Sequence, residues 1–173
     1  MTAAEEFTEF AAAAAPRLRR TAFLLCGDWH SAEDLTQTAL AKVFVAWRRI
    51  NQPEAAHAYA TRTLVHSYLA DRRLRRSGEI LAGELPERPA EPHQAEDRIV
   101  LLTALAKLPA KARAVVVLRY WNDLSVDQVA ATLGCSPGNV KSQSARAMDK
   151  LRTLLAEPDD SAEPRPGEAR RHG

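Results

Sequence analysis

The sequence is poor in aromatic residues, glycine and cysteine, and it has no long hydrophobic run. Aromatic residues make up 6% of its 173 residues, with seven glycines and two cysteines. No apolar stretch approaches the ~18–20 residues that span a bilayer, which excludes an integral membrane protein. Cys26 and Cys135 form no CxxC pair, so a disulfide framework or a cysteine zinc site is not expected. The acidic N-terminus is unlike a secretory signal, and we expect a cytoplasmic protein without membrane association.

The net charge of +2 conceals an uneven distribution along the chain. Residues 1–76 sum to +3, residues 77–97 to −5, residues 98–155 to +6 and residues 156–173 to −2. The acidic stretch also carries three prolines, which is typical of a linker between domains. Basic segments on both sides of it indicate a polyanionic partner.

Hydrophobic residues recur every three or four positions, and strand signals are almost absent. We therefore predict an all-α protein of two small helical domains, 1–76 and 98–155, with a flexible acidic linker at 77–97 and a disordered tail at 156–173. Pro16 is expected to kink or split the first helix. Ser31 is expected to begin the second helix, whose apolar face would include Phe44 and Trp47.

The sequence offers no recognisable catalytic chemistry. Its five histidines are scattered, and Glu33 and Asp34 are adjacent, so their side chains diverge on a helix. It contains no glycine-rich phosphate loop. We expect no enzyme activity, no catalytic residue, no metal site and no cofactor.

Residues 125–148 have the pattern of a helix-turn-helix. A helix of about nine residues is followed by a turn at Gly134 and by a second helix with a Ser136 cap. In such a motif the N-terminal half of the second helix enters the DNA major groove. Its outward donors and amides are suited to base edges and phosphates: Asn139, Lys141, Ser142, Gln143 and Arg146. A short helical hairpin with a solvated polar face is the alternative.

Four stretches around this motif, 108–120, 123–125, 133–136 and 138–142, closely resemble region 4 of bacterial sigma factors of the extracytoplasmic-function (ECF) type. Residues 27–28, 32–35, Gln37 and Trp47 resemble region 2 of the same family. The two resemblances occur in the family's order. They imply an alternative sigma factor that binds the RNA polymerase core and directs promoter-specific initiation.

The resemblance assigns three groups of residues. In region 4 it implies contacts to the −35 duplex by the outward set above together with Ser125. In region 2 it implies that Asp34, Gln37 and Lys42 dock on the clamp coiled coil of the β′ subunit. It also implies that the following turn and helix hold the opened −10 strand, with cations for phosphates and an aromatic ring for stacking: Arg48, Arg49, Asn51, Gln52, Tyr59, Arg62, His66, Arg72, Arg73, Arg75 and Arg76.

The resemblance implies three partners. They are the polymerase core (bound through the β′ clamp and the β flap), promoter DNA, and an anti-sigma factor where one exists. Two positions depart from the family pattern. Thr38 stands where the family usually has Glu, which removes a carboxylate from the polymerase-facing helix. His66 stands where the family often has Asn in the helix that melts the promoter.

The residues alone leave two other functions open. A stand-alone helix-turn-helix regulator would bind duplex operators unaided and use its N-terminal helices for dimerisation or ligand binding. A helical protein-interaction module would have no DNA role. The first would show two-fold symmetric sites, and the second would tolerate loss of Lys141 and Arg146.

Overall fold

The computed structural model describes residues 1–50, 52–76 and 92–156, and every regular element in these ranges is helical. The α-helices are α1 (Ala3–Cys26), α2 (Trp29–Ala46), α3 (Pro53–Arg76), α4 (Pro92–Ala106), α5 (Ala110–Val116), α6 (Val126–Leu133) and α7 (Pro137–Ala156). A 3₁₀ turn at Trp47–Arg49 follows α2, and a π-helical turn at Val117–Trp121 follows α5. The predicted all-α class is confirmed. Asn51, most of the proposed linker (77–91) and the tail from 157 lie outside the described residues, as does the side chain of Arg76.

Local sequence signals account for the ends of α1 and the start of α2. Thr2 and Glu5 form a reciprocal capping box at the start of α1. Gly27 ends α1 with a φ of 73°, a left-handed conformation that glycine adopts at little cost. Asp28 then caps α2 by accepting the N–H groups of His30 and Ser31. The second helix therefore begins at Trp29, two residues before the predicted start.

Proline does not interrupt α1. The helix continues through Pro16 to its end. Pro16 is exposed, and the carbonyl of Ala12, four residues earlier, loses its partner on the same exposed side, where water can replace it.

Helices α1, α2 and α3 pack into one bundle. Its core is mostly aliphatic, with Leu18, Leu25, Leu35, Val43 and Leu64 all buried. At one end an aromatic cluster joins Phe7, Phe10 and Trp47, with ring centroids 5.2–6.5 Å apart. Trp47 thus packs against the core as predicted.

Helices α4 to α7 form the second group. Val129 and Val140 are buried where α6 packs on α7. A separate cluster of Leu105, Leu108 and Leu151 holds α4 against α7. Gly134, with a φ of 68°, ends α6 and provides the sharp turn into α7.

The two groups lie against each other and share a hydrophobic core. Val115 and Leu118 belong to the same buried cluster as Leu25 and Val65 of the first bundle. The pairs α3–α6, α3–α5 and α1–α4 are all in contact. The sequence predicts both helical groups but not this contact between them.

Candidate nucleic-acid interface

Helix α7 presents a polar face opposite its buried side. Val140, Ser144, Ala147 and Leu151 are buried, with the three- and four-residue spacing of a core-facing stripe. The α7 side chains that are predicted to contact DNA lie outside this buried stripe. We call them the α7 face: Asn139, Lys141, Ser142, Gln143 and Arg146. Gln143 is half-buried and the other four are exposed. The structure therefore brings this whole set to one surface.

Contacts within the α7 face hold part of it in place. Gln143 Nε2 donates to Asn139 Oδ1 at 2.6 Å. The hydroxyl of Ser136 accepts the main-chain N–H of Asn139 at 3.1 Å and fixes the start of the helix, as predicted. The Lys141 and Arg146 cations remain exposed, which suits them to phosphates and base edges.

Ser125 has a structural role in addition to its predicted contact. Its hydroxyl accepts the N–H of Gln128 at 3.1 Å, and the Gln128 side chain accepts the Ser125 N–H at 2.8 Å. This capping box begins α6. The Ser125 side chain is exposed, so a phosphate oxygen can reach it.

Four of the side chains predicted to hold the −10 strand lie on one side of α3, and Gln52, directly before the helix, continues their row. Positions 52, 59, 66 and 73 recur every seven residues, which keeps them nearly aligned on a helix, and position 62 falls between them. We call this row the α3 stripe: Gln52, Tyr59, Arg62, His66 and Arg73. All five are exposed, and the row is about 30 Å long at 1.5 Å per residue.

Further cations lie at the two ends of the α3 stripe. Arg48 and Arg49 are exposed in the 3₁₀ turn before α3. Arg75 is exposed in the last turn of α3. Arg72 differs, because it is half-buried with its guanidinium 5.6 Å from the centre of the Tyr68 ring. That contact engages Arg72 in a cation–π interaction.

The side chains predicted to bind polymerase are exposed on α2. Asp34 lies 3.9 Å from His30 one turn earlier, and Lys42 is open to solvent. Gln37 Nε2 donates to Glu33 Oε1 at 3.3 Å, and Glu33 is also bonded by Arg19. The Arg19 guanidinium, and then the Gln37 amide, lower the pKa of the Glu33 carboxyl. These contacts hold the exposed Gln37 side chain against Glu33 on the surface of α2.

An apolar groove beside Gln37 was not predicted. Phe7 and Ala11 of α1 and Leu40 and Phe44 of α2 line it, and its volume is about 420 Å³. Phe44 is 54% exposed, so its predicted place in the core is wrong. The reason is that Trp47 and Phe10 fill the aromatic cluster and leave Phe44 at its edge, 4.9 Å from Phe7.

The structure describes no helix with the length and apolar character of a membrane span. Across the same ranges, no three His, Cys, Asp or Glu side chains lie close enough together to hold a metal ion.

A helix-turn-helix with an exposed polar helix face, packed beside an α-helical bundle that carries exposed arginines, is typical of a DNA-binding protein. The family model of sigma-70 region 2 matches residues 10–78, and that of sigma-70 region 4 matches residues 98–151. The chain belongs to the sigma-70 family of RNA polymerase sigma factors, in the ECF group.

Individual relatives agree with this assignment. The RNA polymerase sigma-E factor of Streptomyces coelicolor is 38% identical over 156 residues, 89% of this chain and 88% of its own length. The ECF RNA polymerase sigma factor SigL of Mycobacterium tuberculosis is 33% identical over 153 residues, 81% of this chain and 83% of its own. Among solved structures, the sigma factor RpoE of Bartonella quintana, co-crystallised with the anti-sigma factor NepR, is similar in fold. It matches with a TM-score of 0.72 at 24% identity, over 87% of this chain and 97% of that one.

Proposed function

We propose that this chain binds the RNA polymerase core and directs it to specific promoters. The observation that supports this most strongly is the presence of sigma-70 regions 2 and 4 in order, each with its polar face on the surface. A sigma factor acts as a transcription initiation factor in the cytoplasm, and this chain is proposed to have no catalytic activity of its own.

The domain roles follow the family regions. Residues 1–76 bind the core and the −10 element, residues 98–155 bind the −35 element, and residues 77–97 connect them. The tail from 156 has no assigned role. Partners of the whole chain are the β′ clamp, the β flap, promoter DNA and, where its genome encodes one, an anti-sigma factor.

The −35 contact is assigned to the α7 face together with Ser125. Lys141 and Arg146 are exposed cations, so they can neutralise phosphates or donate to guanine. Asn139 and Gln143 already share a hydrogen bond, which pre-orients two amides toward a base edge. The core contact is assigned to Asp34, Gln37 and Lys42.

The −10 contact is assigned to the α3 stripe with Arg48, Arg49, Asn51, Arg72, Arg75 and Arg76. Opened strands need a track of cations for phosphates and a ring on which a base can stack. Tyr59 is 41% exposed and provides the ring, and Arg62, one turn further along α3, provides a cation.

Promoter opening tests this assignment. Arg73→Ala/Arg75→Ala removes two exposed cations of α3, while Arg20→Ala/Lys111→Ala removes two exposed cations outside the proposed −10 contact as the control. With core polymerase, the α3 pair should lose permanganate-reactive thymines near the start site. The slope of the logarithm of the DNA-binding constant against the logarithm of salt concentration should also become shallower, by roughly one unit per lost phosphate contact and somewhat less for single strands. The control pair should open the promoter normally. Normal opening by the α3 pair would reject strand capture by these arginines.

A further inference from the structure

Of the charged side chains in the described ranges, Arg113 alone is buried, with 1% of its surface exposed. Its Nε donates to the Leu24 carbonyl at 2.7 Å. Its Nη2 is also buried, but it has no hydrogen-bond partner within those ranges. An arginine side chain keeps its charge in proteins, so this nitrogen is a buried donor of a buried cation. Such an atom calls for a partner, because buried polar groups are almost always hydrogen-bonded.

Among the described residues, no carboxylate pairs with Arg113. The three ion pairs of the described part of the chain all lie elsewhere. Burial lowers the pKa of Arg113, and the titratable groups that act on it besides are a phenol, a second guanidinium and a thiol: Tyr68, Arg72 and Cys26. The Leu24 carbonyl, at the end of α1, carries only a partial negative charge. The positive charge of Arg113 is therefore left without an anionic partner, which is costly in a protein interior.

A second unpartnered donor belongs to the same neighbourhood. Tyr68 of α3 is 2% exposed, and its hydroxyl has no hydrogen-bond partner in the part of the chain that the structure describes. Helix α3 packs on α5, and the Tyr68 and Arg113 side chains are close enough to interact electrostatically. The Arg72 guanidinium lies 5.6 Å from the centre of the Tyr68 ring and adds a second positive charge. We call these three side chains the Arg113 cluster: Tyr68, Arg72 and Arg113.

Gly27 keeps the space beside Arg113 Nη2 free of a side chain. A Cβ built on this residue would lie 3.7 Å from that nitrogen. Gly134 has nearly the same left-handed φ, 68° against 73°, but nothing lies within 4 Å of its Cβ position. Both glycines suit the end of a helix, and only Gly27 also borders an unpartnered donor.

We propose that the Arg113 cluster, bordered by Gly27, is a binding site for a monatomic anion of the halide class. Arg113 Nη2 and the Tyr68 hydroxyl donate to the ion, and the two guanidiniums balance its charge. A monatomic anion suits two donors, whereas phosphate or sulfate would bring several acceptor oxygens and leave most of them unpaired in a buried site. A water molecule would pair the donors but would leave the positive charge unbalanced.

The chloride dependence of stability tests the site in the full-length chain. Chloride is titrated against gluconate, a bulky organic anion, at constant ionic strength, so that general screening stays the same. A ligand that binds only the folded chain multiplies the folding constant by 1 + [L]/Kd, so a Kd of about 10 mM predicts a roughly tenfold rise by about 100 mM chloride. Neither DNA nor polymerase is involved, so the result does not depend on the proposed function.

Conservative substitutions locate the response. Arg113→Met removes the cation and its donors, and Tyr68→Phe removes only the hydroxyl. Both variants should lose most of the chloride response. Arg20→Met and Tyr120→Phe make the same changes at exposed positions and should keep the full response.

The two glycines provide a second matched pair. Gly27→Ala and Gly134→Ala both force an alanine into a left-handed conformation at a helix end, so both should lower stability. Only Gly27→Ala places a methyl group beside Arg113 Nη2. The chloride response should therefore be lost in Gly27→Ala and retained in Gly134→Ala.

Chloride NMR gives a readout that does not require unfolding. Exchange of chloride with a site on the folded protein broadens its resonance, and Tyr68→Phe should reduce this broadening while Tyr120→Phe should not. An equal chloride response in wild type and Arg113→Met would show a general salt effect and overturn the proposal. A wild-type chain that responds to chloride in neither measurement would overturn it in favour of a water molecule between the two donors.

Discussion

Arg113 of α5 donates a 2.7 Å hydrogen bond from its Nε to the main-chain oxygen of Leu24, in the last turn of α1. That carbonyl is one of the four at a helix C-terminus that lack an intrahelical partner. A cation at this end is also favoured by the helix dipole. Burial lowers the pKa of Arg113, and its interaction with Tyr68 works in the opposite direction. A buried arginine of region 4 is thus a C-terminal cap for a helix of region 2.

Removing this cap should cost stability in a way that depends on the replacement. Arg113→Ala loses the hydrogen bond and leaves a cavity, so we expect the free energy of unfolding to fall by about 2–4 kcal/mol. Arg113→Met fills most of the volume without burying a charge and should cost less than half as much. Denaturant titration measures both, with exposed Arg152→Ala as the control. An Arg113→Ala chain within about 0.5 kcal/mol of wild type would contradict the capping role.

The Asp28 cap makes stability depend on pH at the acidic end. Burial raises the pKa of its carboxyl, but hydrogen bonds from Ser31 and His30 outweigh burial and lower it overall. A carboxyl with a lowered folded pKa contributes stability above its unfolded pKa, near 3.9, and loses it as the pH falls through the folded value.

We therefore expect Asp28→Ala to lower the free energy of unfolding by about 0.5–2 kcal/mol at pH 7, and this difference should shrink below about pH 4. Thermal unfolding of both chains across this range measures it. A difference that is the same at pH 3 and pH 7 would show that the carboxylate charge plays no part in the cap.

The −35 assignment predicts a difference between two arginines of α7. Arg146 lies on the α7 face, whereas Arg152 pairs with Asp149 two turns further along. Arg146→Ala should weaken promoter binding by the polymerase complex by on the order of 1–3 kcal/mol if it contacts a base. Arg152→Ala should have little effect. Footprints with equal −35 protection in both variants would remove Arg146 from the interface.

Docking of α2 on the polymerase predicts that one substitution will tighten binding to the core. Thr38 is exposed one residue after Gln37, where the family usually has a carboxylate. If α2 docks on the clamp, Thr38→Glu should tighten binding to the core by up to roughly fivefold, as an exposed ion pair allows. Thr8→Glu makes the same change on α1 and should not. Fluorescence anisotropy measures the affinity of each variant for the core polymerase. An equal change in Thr38→Glu and Thr8→Glu would show that the added negative charge acts wherever it is placed, and not through α2.

Much of the local structure could be predicted from the sequence because its signals are short-range. The capping boxes at Thr2 and Ser125 and the left-handed glycine at position 134 need only neighbouring residues. The α7 face follows from the helical period alone. The predicted start of α2 at Ser31 is two residues late because the Asp28 carboxylate caps the helix, which therefore begins at Trp29.

The contacts between the two helical groups could not be predicted in this way. Arg113 and Leu24 are 89 residues apart, and Thr21 and Asn122 are 101 apart, with no local pattern that links them. The sequence around Arg113 predicts an ordinary helix in which this cation would be exposed to water. Its burial depends on how α5 meets the end of α1, which is decided by tertiary packing. The exposure of Phe44 has the same origin.

In vitro transcription with purified core polymerase tests the central claim most directly. The template is a library of genomic fragments, transcribed with and without this chain, and the transcript 5′ ends are mapped. We predict transcripts that appear only when the chain is present, that begin downstream of shared −35 and −10 elements, and that are lost with Lys141→Ala/Arg146→Ala. Core transcription unchanged by the chain, together with unaided binding to two-fold symmetric duplex sites, would contradict the account and identify a stand-alone regulator.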